Sequence, residues 1–307
     1  MIKVCIVTPS FNKAAYLEQA VRSVMGQRTG SYRLEYNILD AMSTDGSIAL
    51  LHRLKQEFPD INLTVKHDRG QGDAINKSFI ETDADILGWI NADDLLLPGA
   101  VTRILEVFQK TGADVVYGGG MFIDKHNKVI GVYPVSAFSK EFLCSHCFLS
   151  QPSVFFTRKI YLDAGGLNKK LMYCLDYNLW IRMAKIHARF VYIPDMLSAT
   201  RLHRNTKTRS GRMLFVDEIL SMLNREFGQI PEEWLLYRRY RQKIERKSLR
   251  KSVLWFVHAW LCSVAGQPRL FFRLTAWALK IGFLFGVSRF RQYRVSRMSW
   301  DQKLKGF

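Results

Sequence analysis

Five apolar runs, each leaving into a polar turn and separated from the next by a stretch of helical period, dominate the first 117 residues. The runs are Lys3 to Thr8, Tyr36 to Asp40, Leu63 to His67, Ile86 to Asn91 and Val115 to Tyr117. Between them, Ala14 to Met25, Asp45 to Glu57, Asp73 to Ile80 and Gly99 to Lys110 repeat apolar residues at helical spacing. That rhythm predicts an α/β fold with a largely parallel sheet and helices on both faces. After Tyr117 the pattern changes. Hairpin-like pieces (Met121 to Asp124, Val129 to Tyr133), a strand at Ser153 to Thr157, a helix at Asp176 to Ile186 and strands at Phe190 to Ile193 and Leu197 to His203 are expected. A second half of mixed topology then completes the sheet.

The turns matter as much as the runs. The first strand leaves into "TPSFN" (Thr8 to Asn12), the second into "DAMSTDGS" (from Asp40), the third into "DRGQGDAINK" (from Asp68) and the fourth into "NADD" (Asn91 to Asp94). Four successive strands thus deliver acids and small polar groups to one edge, the edge at which open α/β sheets bind ligands. Asp93 and Asp94 repel one another unless a cation or hydrogen-bond donors hold them. The plainer reading of that pair is a cap for the helix through Val101 to Phe108.

Neither common nucleotide signature is present, since Pro9-Ser-Phe-Asn-Lys stands where G-x-G-x-x-G would follow strand one, and no G-x-x-x-x-G-K-[ST] occurs. Carboxylates suit a different site, with hydrogen bonds to base and ribose and oxygens on a divalent cation that bridges a diphosphate. That is the logic of a nucleotide-sugar site. Paired catalytic acids, as in glycoside hydrolases, explain acids near a sugar without a nucleotide site.

"TPSFN", "DAMSTDGS", "DRGQGDAINKS", "GWINADDLLLPGA", "QPSVFFTRKIYLDAGGLN", "DYNLWIRMA" and "RLHRNTKT" occur in the order and spacing of the family-two glycosyltransferases. Over residues 1–209 the chain resembles that family, whose fold is the Rossmann-like GT-A. The resemblance implies an inverting transfer of one sugar from a nucleotide-diphosphate donor, using Mg²⁺ or Mn²⁺, to a glycan or lipid-linked acceptor. By the same resemblance Thr8, Pro9 and Asn12 belong to the donor site, Asp40 reads the nucleobase and Asp68 lies beside it. Asp93 contacts the ribose, Asp94 binds the metal, Asp176 is the general base, and His203 closes over metal or diphosphate. Two positions depart from the family: Ala41 and Met42 stand where small residues, often glycines, are usual, and Leu175 stands where an acid commonly precedes the base.

Residues 210–307 read as a basic helical extension. From Leu214 onward there are 18 Lys/Arg against 7 Asp/Glu, a large part of the net charge of +18. Gly266-Gln-Pro268 breaks two apolar segments, Ser252 to Ala265 and Leu270 to Phe290, and between Arg269 and Arg294 the residues Arg269, Arg273, Lys280, Arg291 and Arg294 fall on a stripe against Phe271, Phe272, Leu274, Phe283 and Phe285. No window reaches about 18 uncharged apolar residues, so a peripheral membrane contact is expected rather than a span. A core helix packed on the first domain is the alternative. The amino terminus reads as a first strand, not a secretory signal. The five irregularly spaced cysteines argue for a reducing compartment, and the lone Cys144-Ser-His-Cys147 lacks the second pair a zinc site needs. A cytoplasmic protein at the inner face of the membrane, acting in cell-envelope polysaccharide synthesis, joins both halves. No nucleic-acid module is recognised. A nucleotidyltransferase and a non-catalytic membrane or nucleic-acid binder remain as rival readings.

Overall fold

In a computed structural model of the chain, residues 1–203, 206 and 212–245 are described. The tail segments Ser252 to Ala265 and Leu270 to Phe290 lie outside them, as does the expected division after Arg209. Strand β1 (Lys3–Ser10) buries every residue from Val4 to Thr8, as a strand covered on both faces must. It pairs in parallel with β2 (Arg33–Asp40) on one side and β4 (Ile86–Trp89) on the other, and β2 pairs in parallel with β3 (Ile61–Val65). Helices α1 (Ala14–Met25), α2 (Ser47–Glu57) and α3 (Gln71–Glu81) make the crossovers. Helix α1 buries Leu17, Ala20, Val21 and Val24, an i, i+3, i+4, i+7 stripe. Leu17, Val21 and Val24 join Val4, Ile6, Tyr36 and Ile38 in the main core.

The second half contains β5 (Leu95–Leu96), α4 (Ala100–Thr111), β6 (Val115–Ile123), β7 (Val129–Val132), α5 (Lys140–Ser145), a 3₁₀ turn at Gln151–Ser153, β8 (Val154–Thr157), α6 (Arg158–Asp163), α7 (Leu175–Lys185) and β9 (Phe190–Arg201). The sheet runs β3-β2-β1-β4-β8-β6-β9-β5, with β7 on β6. Strand β8 is antiparallel to both β4 and β6, so the mixed half begins beside the parallel one.

Two long strands replace shorter expected ones. The run through Gly118-Gly-Gly120 reads as a break, yet β6 continues through it to Ile123. A Cβ at Gly118 would lie 2.8 Å from the Asp195 carbonyl oxygen, so glycine here permits close approach of β9 where the register shifts. Strand β9 is likewise continuous across Pro194. The two-residue β5 and the short helices α5 and α6 are too brief to show a period in sequence.

Met1–His203 forms one compact unit, and residues 212–245 belong to a second. There α8 (Arg212–Phe227) buries Val216, Ile219, Leu220 and Leu223, and Arg238 of α9 (Glu232–Glu245) pairs with Asp217 of α8 at 2.7 Å. No helix among the described residues is long and apolar enough to cross a membrane.

Candidate active site

The chain sets β2 and β3 on one side of β1, then returns to place β4 on the other, so its winding reverses between β1 and β4. Open α/β sheets bind ligands at the carboxyl end of such a reversal. Lys13 follows β1 and Asp93 follows β4. Lys13 Nζ lies 2.5 Å from Asp93 Oδ2 across that point.

The two acids of the turn face different partners. Asp93 Oδ2 also meets His203 Nε2 at 2.9 Å. Asp94 accepts the Arg201 backbone N–H at 2.9 Å and the Asn91 side-chain amide at 3.0 Å. Burial raises the Asp93 carboxyl, but the hydrogen bonds and charges of His203 and Lys13 outweigh it and hold the group below the usual range. Burial, and then the charge of Asp93, push Asp94 up to about 7. The pair therefore shares its charge unevenly, as neighbouring carboxyls must. Neither acid caps α4, whose N-cap is Gly99 in the left-handed region at φ 78°.

A residue that sequence reasoning passed over organises this turn. Arg201, fully buried at the end of β9, donates from Nε to the Asp93 carbonyl at 3.0 Å and from its terminal nitrogens to the Asp124 carbonyl (3.1 Å), Asn127 Oδ1 (2.5 Å) and Gln19 Oε1 (2.9 Å). Its guanidinium lies 4.8 Å from the centroid of the Tyr16 ring, which in turn sits 4.9 Å from the His203 ring. One side chain so ties β9, the acidic turn, the β6–β7 turn and α1 together. The signal available in sequence was its place at the head of the RLHRNTKT motif, at the end of β9.

The loops after β1 and β2 are stitched to each other. Asn12, at φ 52°, donates its backbone N–H to Ser43 Oγ at 2.8 Å and accepts from Thr44 N at 2.8 Å. Thr8 is buried, its hydroxyl 2.9 Å from the Tyr36 phenol, and Pro9 pairs with Leu39 in the β1–β2 register. Asp40 is held within this loop. It is 1 % exposed, and its carboxylate takes the Ser43 N–H (2.7 Å) and the hydroxyls of Ser10 (2.9 Å) and Ser43 (2.8 Å). A carboxylate so engaged ties the loop after β2 together, and the residue also lines the groove that passes Asp68. Met42 follows at φ 63°, in the region that favours glycine. Asp68 caps its own turn through the Gly70 N–H at 2.8 Å and lines a groove of about 650 Å³. That groove runs along β2, β3 and α3 from Asp68 and Arg69 to Lys3 and Asp83, away from the acidic pair.

Asp176 lies in the first turn of α7 and is half-buried, with Oδ1 accepting the Tyr177 N–H at 2.8 Å. The N-cap itself is Cys174. Burial first, and then the charge of Asp176, push the Cys147 thiol well above its ordinary range. Cys147 is a free cysteine.

A profile of glycosyl transferase family 2 matches residues 5–162, just over half of the sequence. The chain belongs to that family. An uncharacterized glycosyltransferase of Nostoc sp. is 32% identical over 130 residues, covering 42% of this chain and 40% of that protein. The chondroitin synthase of Escherichia coli is 24% identical over 190 residues, covering 60% of this chain and 26% of the synthase. The chain thus spans less than half the length of either relative. A mannosyltransferase of Pyrobaculum calidifontis, in complex with GDP-Man and Mn²⁺, superposes with a TM-score of 0.59 at 16% identity, covering 98% of this chain and 84% of that one. The chain thus carries the family-2 glycosyltransferase domain in the GT-A fold, and polysaccharide synthases are among its relatives.

Members of this fold commonly use a divalent metal, and the donor set here fits one of a particular kind. No three His, Cys, Asp or Glu side chains among the described residues converge as a preformed metal cage. Two adjacent carboxylates with an imidazole are ligands of the sort Mg²⁺ and Mn²⁺ accept. Mg²⁺ usually takes one or two carboxylates and completes its shell with water and substrate phosphates. Asp93, Asp94 and His203 fit such a site, finished by a diphosphate.

Proposed function

We propose that this chain transfers one sugar from a nucleotide-diphosphate sugar to a hydroxyl of a glycan or lipid-linked acceptor, with inversion at the anomeric carbon and with Mg²⁺ or Mn²⁺. The observation that carries the reading is the Asp93–Asp94 turn at the point where the sheet reverses, in a chain of family 2. Asp93, Asp94 and His203 would hold the cation, in place of the ribose contact that the family resemblance gives Asp93, because Asp93 Oδ2 lies 2.9 Å from His203 Nε2, and the loop from Thr8 through Pro9 to Asn12 would hold the rest of the donor. Asp68, at one end of a groove that Asp40 also lines, would lie beside the base.

An alcohol is a weak nucleophile until a base takes its proton. Asp176 is assigned that step: its carboxylate accepts the acceptor hydroxyl's proton as the oxygen attacks the anomeric carbon from the face opposite the leaving diphosphate. The cation, when bound, neutralises charge that develops on that diphosphate. Lys13 adds positive charge at the same place. The basic, aromatic-rich tail supports a membrane-surface location at the cytoplasmic face, and the synthase relatives support a role in cell-envelope polysaccharide synthesis.

Calorimetric titration with UDP and GDP, each with and without Mn²⁺, tests the reading. Metal-dependent diphosphate binding is expected. Absence of binding by either nucleotide removes the transferase assignment. Screening nucleotide sugars for hydrolysis then identifies the donor, and a product of retained configuration removes Asp176 as direct base.

A further inference from the structure

The side chain of Lys13 lies against the acidic turn, 2.5 Å from Asp93 Oδ2. Its backbone is held at the start of α1, with its N–H donating to Ser47 Oγ at 3.2 Å, while its side chain reaches across the sheet's reversal to Asp93 Oδ2. That oxygen receives Nζ at 2.5 Å and His203 Nε2 at 2.9 Å, whereas both oxygens of Asp94 are turned to Arg201 and Asn91. An ammonium group therefore covers the carboxylate of the pair that is not tied into the backbone.

Lys13 and Arg201 are both cations beside the same acids, and they are built differently. Arg201 is fully buried and locked by four hydrogen bonds from its guanidinium to neutral oxygens. The Lys13 side chain is 25% exposed and makes one ion pair among the described residues. Arg201 already performs the structural tie. A lysine on a flexible four-carbon stem, at the edge of a crevice and held by a single contact, is free to change partner. A divalent cation cannot share Asp93 with an ammonium group a few ångströms away without strong repulsion.

We propose that Lys13 is an exchangeable counter-ion of the site. It neutralises Asp93 while donor and metal are absent. When the cation enters with the nucleotide diphosphate, Lys13 leaves Asp93 and donates to the diphosphate oxygens, so one positive charge replaces another on the acid and the displaced one positions the leaving group. The inference rests on the nucleotide-sugar reading above, and it adds a donor-binding residue and an ordered exchange of charges to it.

The test uses the full chain, with Lys13→Met compared to wild type in two calorimetric titrations. Mn²⁺ alone is expected to bind the variant roughly tenfold more tightly, because its competitor for Asp93 is gone. UDP or GDP at saturating Mn²⁺, whichever the wild type prefers, is expected to bind the variant roughly tenfold more weakly, because a charge-assisted contact is lost. Lys13→Arg should recover diphosphate affinity. A merely structural lysine moves both affinities in the same direction or neither. Unchanged or weaker Mn²⁺ binding by the variant, Mn²⁺ binding undetectable in both proteins, or unchanged diphosphate binding overturns the proposal while leaving the transferase reading intact. If Lys13→Met does not fold, Lys13→Gln is read by the same criteria. Wild-type protein that binds neither diphosphate with Mn²⁺ ends the underlying reading and this inference with it.

Discussion

Trp180 lies against Trp89 with ring centroids 5.6 Å apart and planes 24° from parallel. Trp89 stands four residues before Asp93 at the end of β4, and Trp180 stands four residues after Asp176 on α7. Phe156 of β8 packs edge-on to both, at 6.0 and 5.7 Å. This aromatic cluster is thus the rigid link between the strand that carries the acidic pair and the helix that carries the candidate base. Both ends of the proposed chemistry are anchored in one piece of core.

That anchoring makes Asp176 testable without loss of the fold. Asp176→Asn keeps an oxygen for the Tyr177 N–H and removes the basic carboxylate. Turnover is expected to fall by a factor of roughly 10² to 10⁴ while donor affinity and Tm stay near wild type. Steady-state kinetics and a thermal melt check both halves.

Asp94 should leave a mark on stability against pH. Its folded-state pKa is raised from 3.8 to about 7, so the folded protein holds a proton that the unfolded chain has already released. The stabilisation this group contributes is therefore full below about pH 4 and is lost as pH rises to about 7. Asp94→Asn cannot titrate, so the Tm difference between variant and wild type should shift in the variant's favour between about pH 4 and 7 and level off above. A difference independent of pH would show that Asp94 ionises normally.

Asp40 is expected to behave as a loop staple. Asp40→Asn weakens the hydrogen bonds to Ser43 and Ser10, at a cost of about 1–3 kcal/mol. Urea unfolding should report that loss, and the ratio of UDP to GDP affinity should be unchanged. A changed ratio would restore Asp40 to base recognition.

Arg201→Gln strands the acceptors that the guanidinium now serves and removes a buried positive charge next to two acids. A loss of about 3 kcal/mol or more is expected in urea unfolding. Arg201→Lys keeps the charge without the planar fork and should fall between.

Much of the first half was legible because its signals are local. Apolar period, glycine and proline punctuation and acid-bearing turns are properties of neighbouring residues, and they located β1, β2, β4, α1 and α4 to within a few positions. The longer β6 and β9 were not legible. A triple glycine and a proline read locally as breaks, and only the partner strand, close enough to need a missing Cβ at Gly118, makes them one ladder.

The same division runs through the site. By itself the sequence determined that acids gather at the carboxyl ends of three strands, because each acid follows its own strand in the chain. Tertiary structure decided what each acid does there. Asp40 turns inward to three donors, Asp94 is buried and raised, and Asp93 meets Lys13 from 80 residues away and His203 from 110. Arg201, which opens the RLHRNTKT motif but had no role assigned to it, binds the turn from 108 residues away. The physical reason is that a carboxylate's charge and availability depend on burial and on the partners brought to it, and both come from strand order rather than from sequence neighbours.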